Sequence, residues 1–111
     1  MKSISKELIG ASAIPIILSI LRQGDNYGYE IVQRVKEATN GEISWKEASI
    51  YPVLKKLENS GYIKSYWKMV KSERPRKYYT ILSDGKKQLD QSMREWALMQ
   101  DVFAKLLVTD K

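Results

Sequence analysis

Residues 46–81 read KEASIYPVLKKLENSGYIKSYWKMVKSERPRKYYTI, and a change of period inside this stretch decides the fold. In its first half, Ile50, Val53, Leu54 and Leu57 recur at the three- and four-residue spacing that gathers side chains on one side of a helix. A helix is expected over about residues 46–60. Ser44 with Glu47 three residues later has the form of a capping box, and Asn59-Ser60-Gly61 supplies a stop. Pro52 fits best in a first turn, where its missing donor is not needed, so a start near Ala48 is the alternative. From Tyr62 the pattern changes: residues 62–67 and 77–81 are rich in aromatic and β-branched side chains, as strands are. Residues 68–76 between them are polar and basic and contain Pro75, which makes the pair a β-hairpin.

Working outward, residues 27–38 read as a helix burying Tyr29, Ile31, Val32 and Val35 and ended by Asn40-Gly41. Gln23-Gly24-Asp25-Asn26 before it is a turn in which Asp25 or Asn26 is placed to cap. Residues 5–22 form an earlier helix that is apolar on nearly every side around Ile14, Ile17, Leu18 and Leu21, so more than one neighbour must cover it. Pro15 inside it removes one backbone donor and is expected to bend it. Residues 83–107 read as one long helix. Helix, turn, helix and basic hairpin is the order of a winged helix-turn-helix, mainly α, here with a long C-terminal helix. The expected organisation is a DNA-binding unit over 1–82 and a dimerisation helix over 83–111, together one structural unit.

Composition narrows the chemistry. The 111 residues leave room for one domain, and 43% hydrophobic content is that of a folded protein. There is no cysteine and no histidine. Disulfides and nucleophilic sites of the Cys–His or Ser–His–Asp kind are excluded, and the two commonest zinc ligands are missing. The acids are scattered over helix positions expected to be exposed, so an enzyme is not expected, and neither is a catalytic residue, a metal or a cofactor. No signal peptide is recognisable, and the apolar run over residues 11–21 is too short to span a bilayer, which points to a soluble cytoplasmic protein without membrane contact. Net charge of +6 favours a polyanionic partner.

The charges are placed where such a partner would be met. On the 46–60 helix, Ala48, Pro52, Lys55 and Asn59 lie opposite the apolar side, flanked by Ser49, Tyr51 and Lys56. Small residues, hydroxyls and ammoniums suit close approach to base edges and phosphates, although an ordinary solvated helix face has the same pattern. In the hairpin, Lys64, Lys68, Lys71, Arg74, Arg76 and Lys77 stand against the single acid Glu73. Arginine suits phosphate forks and narrow minor grooves, so nucleic-acid contact by this loop is expected. A winged-helix module for protein or RNA contact is the competing reading.

Three ordered motifs then add a resemblance. Tyr27-Gly28-Tyr29-Glu30-Ile31, Ser49-Ile50-Tyr51-Pro52-Val53-Leu54-Lys55-Lys56-Leu57-Glu58 with Gly61, and Arg74-Pro75-Arg76-Lys77-Tyr78-Tyr79 are similar to PadR-family repressors over about residues 8–107. The resemblance implies a dimeric repressor of detoxification, efflux or stress genes that binds a palindromic double-stranded operator. It implies contact through Ser49, Tyr51, Lys55 and Lys56 of the third helix and Arg74, Arg76 and Lys77 of the wing. Two positions depart from the family: Ser72-Glu73 stands where wings often carry glycine, and Leu82 stands where Ser or Thr often caps the last helix, with Ser83 expected to take over as cap.

In the last helix Leu89, Met93, Trp96, Gln100, Phe103 and Leu107 are spaced four, three, four, three and four, a coiled-coil seam widened by Val102 and Leu106. A homodimer is expected to cover it, with the first helix of the other copy as the partner surface; packing onto its own domain is the alternative. Trp96, beside the polar Gln100, resembles the tryptophan of multidrug-responsive members of the family. That likeness implies a central pore for a small planar aromatic effector, walled by Leu8, Ala11, Ile14, Pro15, Met93, Ala97, Gln100 and Phe103. Plain interface packing is the alternative for this tryptophan.

Overall fold

A computed structural model describes residues 4–71 and 74–108. Its elements run α1 (Lys6–Gln23), β1 (Asn26–Tyr27), α2 (Gly28–Ala38), α3 (Glu47–Asn59), β2 (Ile63–Lys68), β3 (Arg76–Ile81) and α4 (Ser83–Leu106). The expected mainly helical winged helix-turn-helix with a long last helix is what forms. One element was not expected: β1 pairs antiparallel with β3, Tyr27 opposite Tyr78, so the wing is a three-stranded sheet in the order β1-β3-β2.

Helix ends show where local signals yielded to tertiary ones. Ser5 caps α1 by accepting from the Leu8 amide at 3.2 Å. Neither Asp25 nor Asn26 caps α2: the residue at that position is Tyr27, extended because it belongs to β1. Asp25 instead accepts from the Tyr66 hydroxyl at 2.7 Å, and the Asn26 side chain accepts from the Tyr27 amide. At its other end α2 stops as expected, with Asn40 and Gly41 at φ 52° and 83° and the Gly41 amide donating to the Lys36 carbonyl. The capping box does not form. Lys46 occupies the N-cap of α3 in an extended conformation without a side-chain bond, and Pro52 lies inside the helix instead of in its first turn. Nor does Ser83 cap α4; Leu82 stands there, held extended while its amide donates to the Tyr62 carbonyl at 2.9 Å.

The core joins Ile17, Leu18 and Leu21 of α1 to Ile31 and Val35 of α2, to Ile50, Leu54 and Leu57 of α3, and to Ile63, Tyr79 and Leu89. This is why α1 is apolar all round: α2, β3 and α4 each pack against it. The register sends Ile63, Ile81, Ser65, Tyr79, Trp67 and Lys77 to the core-side face of the sheet. Toward the wing tip that face runs past the core, carrying Trp67 and Lys77 out beside α3. Ser72 and Glu73, the departure in the wing motif, lie outside the described residues. Tyr29 corrects the expectation for α2: it is 50% exposed. Burial of this helix falls to Gly28, Ile31, Val32 and Val35.

Beyond Ser92 the molecule no longer covers its own apolar surface. Every described residue from 93 to 108 is exposed. The radius of gyration of 16.4 Å exceeds the ~13 Å of a compact chain of this length because α4 projects. At its base α4 is tied to α1 by an ion pair between Arg22 and Asp90 at 2.8 Å.

Candidate nucleic-acid interface

The α3 side chains divide as their 100° steps require. Ile50, Leu54 and Leu57 are buried, and Val53 packs partly buried against them. Ala48, Ser49, Tyr51, Pro52, Lys55, Lys56 and Asn59 are all exposed. Ser49 and Lys56 share one flank, where Ser49 edges a small crevice beside Trp45 and Ala13. Tyr51 lies on the other flank, toward the sheet.

Tyr51 is the best-fixed side chain of this face. Its hydroxyl donates to a Glu47 carboxylate oxygen at 2.9 Å, one helical turn back. Its ring lies over the start of α2, where a Cβ on Gly28 would come within 2.8 Å of the hydroxyl oxygen. Partial burial, then the bond to Glu47 and the charge of that carboxylate, push the phenol up to about 12. It is therefore a neutral donor at any physiological pH.

Between the first turns of α3 and the wing is an open hollow of about 460 Å³. Glu47, Tyr51 and Tyr29 form the helical side; Trp67, Arg76 and Lys77 form the wing side, with Tyr27 between. The wing cations rest on rings. The Arg76 guanidinium is 4.6 Å from the Tyr27 ring centroid, Lys68 Nζ is 4.8 Å from that of Tyr78, and Lys77 Nζ is 6.0 Å from that of Tyr79. Tyr78 in turn lies 5.2 Å from Tyr27 and 5.9 Å from Tyr66, ring centre to ring centre. Aromatic support of this kind pre-orders long basic side chains, which lowers the entropic cost of placing them on a phosphate backbone. Arg74 is exposed at the near side of the tip.

The structure thus brings Tyr51, Arg76 and Lys77 around one hollow, places Lys55 on the outward face of α3, and sets Ser49 and Lys56 on the far flank. Glu47, Tyr27, Tyr29 and Trp67 also line the hollow; the sequence assigned none of them to the site, giving Glu47 to a capping box and Tyr29 to the core. The four-residue separation of Glu47 and Tyr51 was the available signal for the first of these.

The residues grouped with Trp96 form a second region, at the junction of α1 and α4. Trp96 and Leu8 separate two open hollows. One, of about 380 Å³, is lined by Pro15, Met93, Ser12 and Ile4 among others; the second, of about 570 Å³, by Ala11, Met99, Gln100 and Phe103. Ile14 and Ala97 line neither: Ile14 packs partly buried against the core, and Ala97 is exposed.

A helix-turn-helix whose second helix bares a polar face beside a basic three-stranded wing defines a winged-helix DNA-binding regulator. The chain belongs to the PadR-like family of transcriptional regulators, whose sequence pattern matches residues 17–91. It is similar to a transcriptional regulator from Clostridium thermocellum, at 38% identity and a TM-score of 0.85, over 95% of this chain and 99% of that one. It is also similar to the negative transcriptional regulator PadR of Bacillus subtilis, 37% identical over 66% of this chain and 40% of that protein. The crystal structure of Bacillus subtilis PadR in complex with operator DNA aligns over 73% of this chain and 46% of that one, with a TM-score of 0.66 and 33% identity. The described helices include none long and apolar enough to cross a membrane.

Proposed function

We propose that this chain is a repressor that works as a cytoplasmic homodimer on a palindromic double-stranded operator and is released by a small planar hydrophobic molecule at the dimer centre. One observation carries the reading: α4 and its C-cap leave Val102, Phe103, Leu106 and Leu107 in water, with Leu106 and Leu107 about three-quarters exposed. An apolar stripe of that extent on a single copy calls for a second copy. Residues 1–82 then act as the reading head and 83–111 as the dimerisation helix. The two α3 helices enter successive major grooves with Ser49, Tyr51, Lys55 and Lys56, while Arg74, Arg76 and Lys77 take phosphates or the minor groove. The Bacillus subtilis relative, a negative regulator solved on its operator, supports the repressor sense.

Trp96 supports the effector. It stands between two hollows that one copy leaves open, with Leu8, Ala11, Met93, Gln100 and Phe103 around it. A planar ligand stacked there releases DNA only by preferring a dimer in which the two α3 helices no longer match groove spacing.

The test is binding to the chain's own upstream DNA over a range of salt concentrations. Tight binding that weakens steeply with salt, and is lost when Arg74, Arg76 and Lys77 become alanine, is expected. Binding indifferent to salt or to those substitutions would refute the operator contact. For the effector, planar dyes should quench tryptophan emission, and Trp96→Ala should abolish their binding; unchanged affinity in that variant would end the idea.

A further inference from the structure

We infer that Glu47 is a specificity-determining residue, accepting a hydrogen bond from the N4 amine of a cytosine in each operator half-site, with Tyr51 as its positioning residue. The inference rests on α3 lying in the major groove.

Glu47 is an acid on the face that must approach a polyanion. It is the first residue of α3, in the part of a recognition helix that reaches base edges. Its carboxylate gains from the helix dipole there, which accounts for an acid in the first turn but not for its setting. One oxygen, Oε2, is held by the Tyr51 hydroxyl at 2.9 Å, and Tyr51 is itself fixed over Gly28. The other oxygen has no hydrogen-bond partner among the described residues. Glu47 shares its hollow with Arg76 and Lys77, and no ion pair within 4 Å joins it to Lys77 among the described residues. Lys77 therefore stands beside it, suited to phosphate, while the carboxylate repels phosphate and can accept only from a donor.

Base edges supply that donor. In the major groove cytosine offers its N4 amine, whereas guanine presents acceptors and thymine an acceptor and a methyl group. Adenine offers an amine with the N7 acceptor beside it, which opposes a second carboxylate oxygen. Cytosine is the base that an acceptor-only side chain favours.

The experiment selects binding sites from random duplexes with the full-length chain and its Glu47→Gln, Glu47→Ala and Tyr51→Phe variants. Wild type should require cytosine at one position of each half-site, with about tenfold weaker binding when it is replaced. Glu47→Gln keeps an acceptor for Tyr51 and turns the free oxygen into an amide donor, so its preference at that position should move from cytosine to a base that offers an acceptor, thymine or guanine. Glu47→Ala should lose preference there alone, and Tyr51→Phe should weaken it there, a position-specific readout that a merely structural role would not move. Glu47 variants that keep the wild-type preference at every position would overturn the inference while leaving α3 in the groove. Lys55→Ala and Lys56→Ala variants with unchanged affinity would remove α3 from the groove and the inference with it.

Discussion

Gly28 and Tyr51 are in such close approach that a methyl group on the glycine would stand 2.8 Å from the tyrosine hydroxyl. The helix-turn-helix is thus locked at a residue proposed to meet DNA, so that one contact would serve both packing and the proposed function. Gly85 makes a different contact, since a Cβ there would lie 2.2 Å from the Tyr62 backbone carbonyl. A side-chain tip can swing away, but a carbonyl that also accepts the Leu82 amide cannot. Gly28→Ala should therefore weaken DNA binding with little loss of thermal stability, and Gly85→Ala should destabilise the fold by about 2 kcal/mol or more. Thermal melts beside binding curves separate the two.

Loss of wing cations should appear in the salt dependence before it appears in the sequence preference. Each phosphate contact removed lowers the slope of log affinity against log salt by about 0.9. Lys77→Ala should thus flatten that slope in titrations at several salt concentrations while the relative ranking of operators is kept. A changed ranking with an unchanged slope would place Lys77 on a base.

The ion pair between Arg22 and Asp90 is short at 2.8 Å, yet both side chains are about half exposed. Solvent screening should hold its contribution to within about 1 kcal/mol. Arg22→Ala should shift a denaturant midpoint only slightly, since Leu18, Leu21 and Leu89 hold α1 to α4 by burial.

The pH response follows from which groups are present. With no histidine in the chain, operator affinity should be flat through the range where histidine titrates, about pH 6 to 7. The Tyr51 phenol titrates higher folded than unfolded, so its contribution to stability is fully present below about 10 and is lost as pH rises toward about 12. Tyr51→Phe should remove a late step from the tyrosinate absorbance titration; a titration without that change would show Tyr51 ionising with the rest.

Period was the legible part of this chain. The helices at 5–22, 27–38, 46–60 and 83–107 and the outward face of α3 follow from spacing, because burial on one side imposes it, and the hairpin follows from aromatic and β-branched composition on either side of a polar loop. The illegible parts were decided by pairing across the fold. Two residues cannot show a strand period, so β1 was hidden until β3 lay beside it. Its pairing turned Tyr27 into the cap position of α2 and freed Asp25 to take the Tyr66 hydroxyl. Leu82 displaced Ser83 in the same way, because its amide is claimed by Tyr62. At the site, basic residues announced themselves by charge. Glu47 carried the opposite sign, Tyr29 was read as core, and Tyr27 and Trp67 were read only as parts of a helix start and a strand, so the hollow between helix and wing went unseen.

Sedimentation of the purified chain, with and without a duplex that it binds, reads the proposed dimer itself. Two chains per particle are expected in both conditions, and single chains that no longer bind when Phe103 and Leu107 are made charged. Single wild-type chains that still hold the duplex would contradict the dimer as the DNA-binding unit.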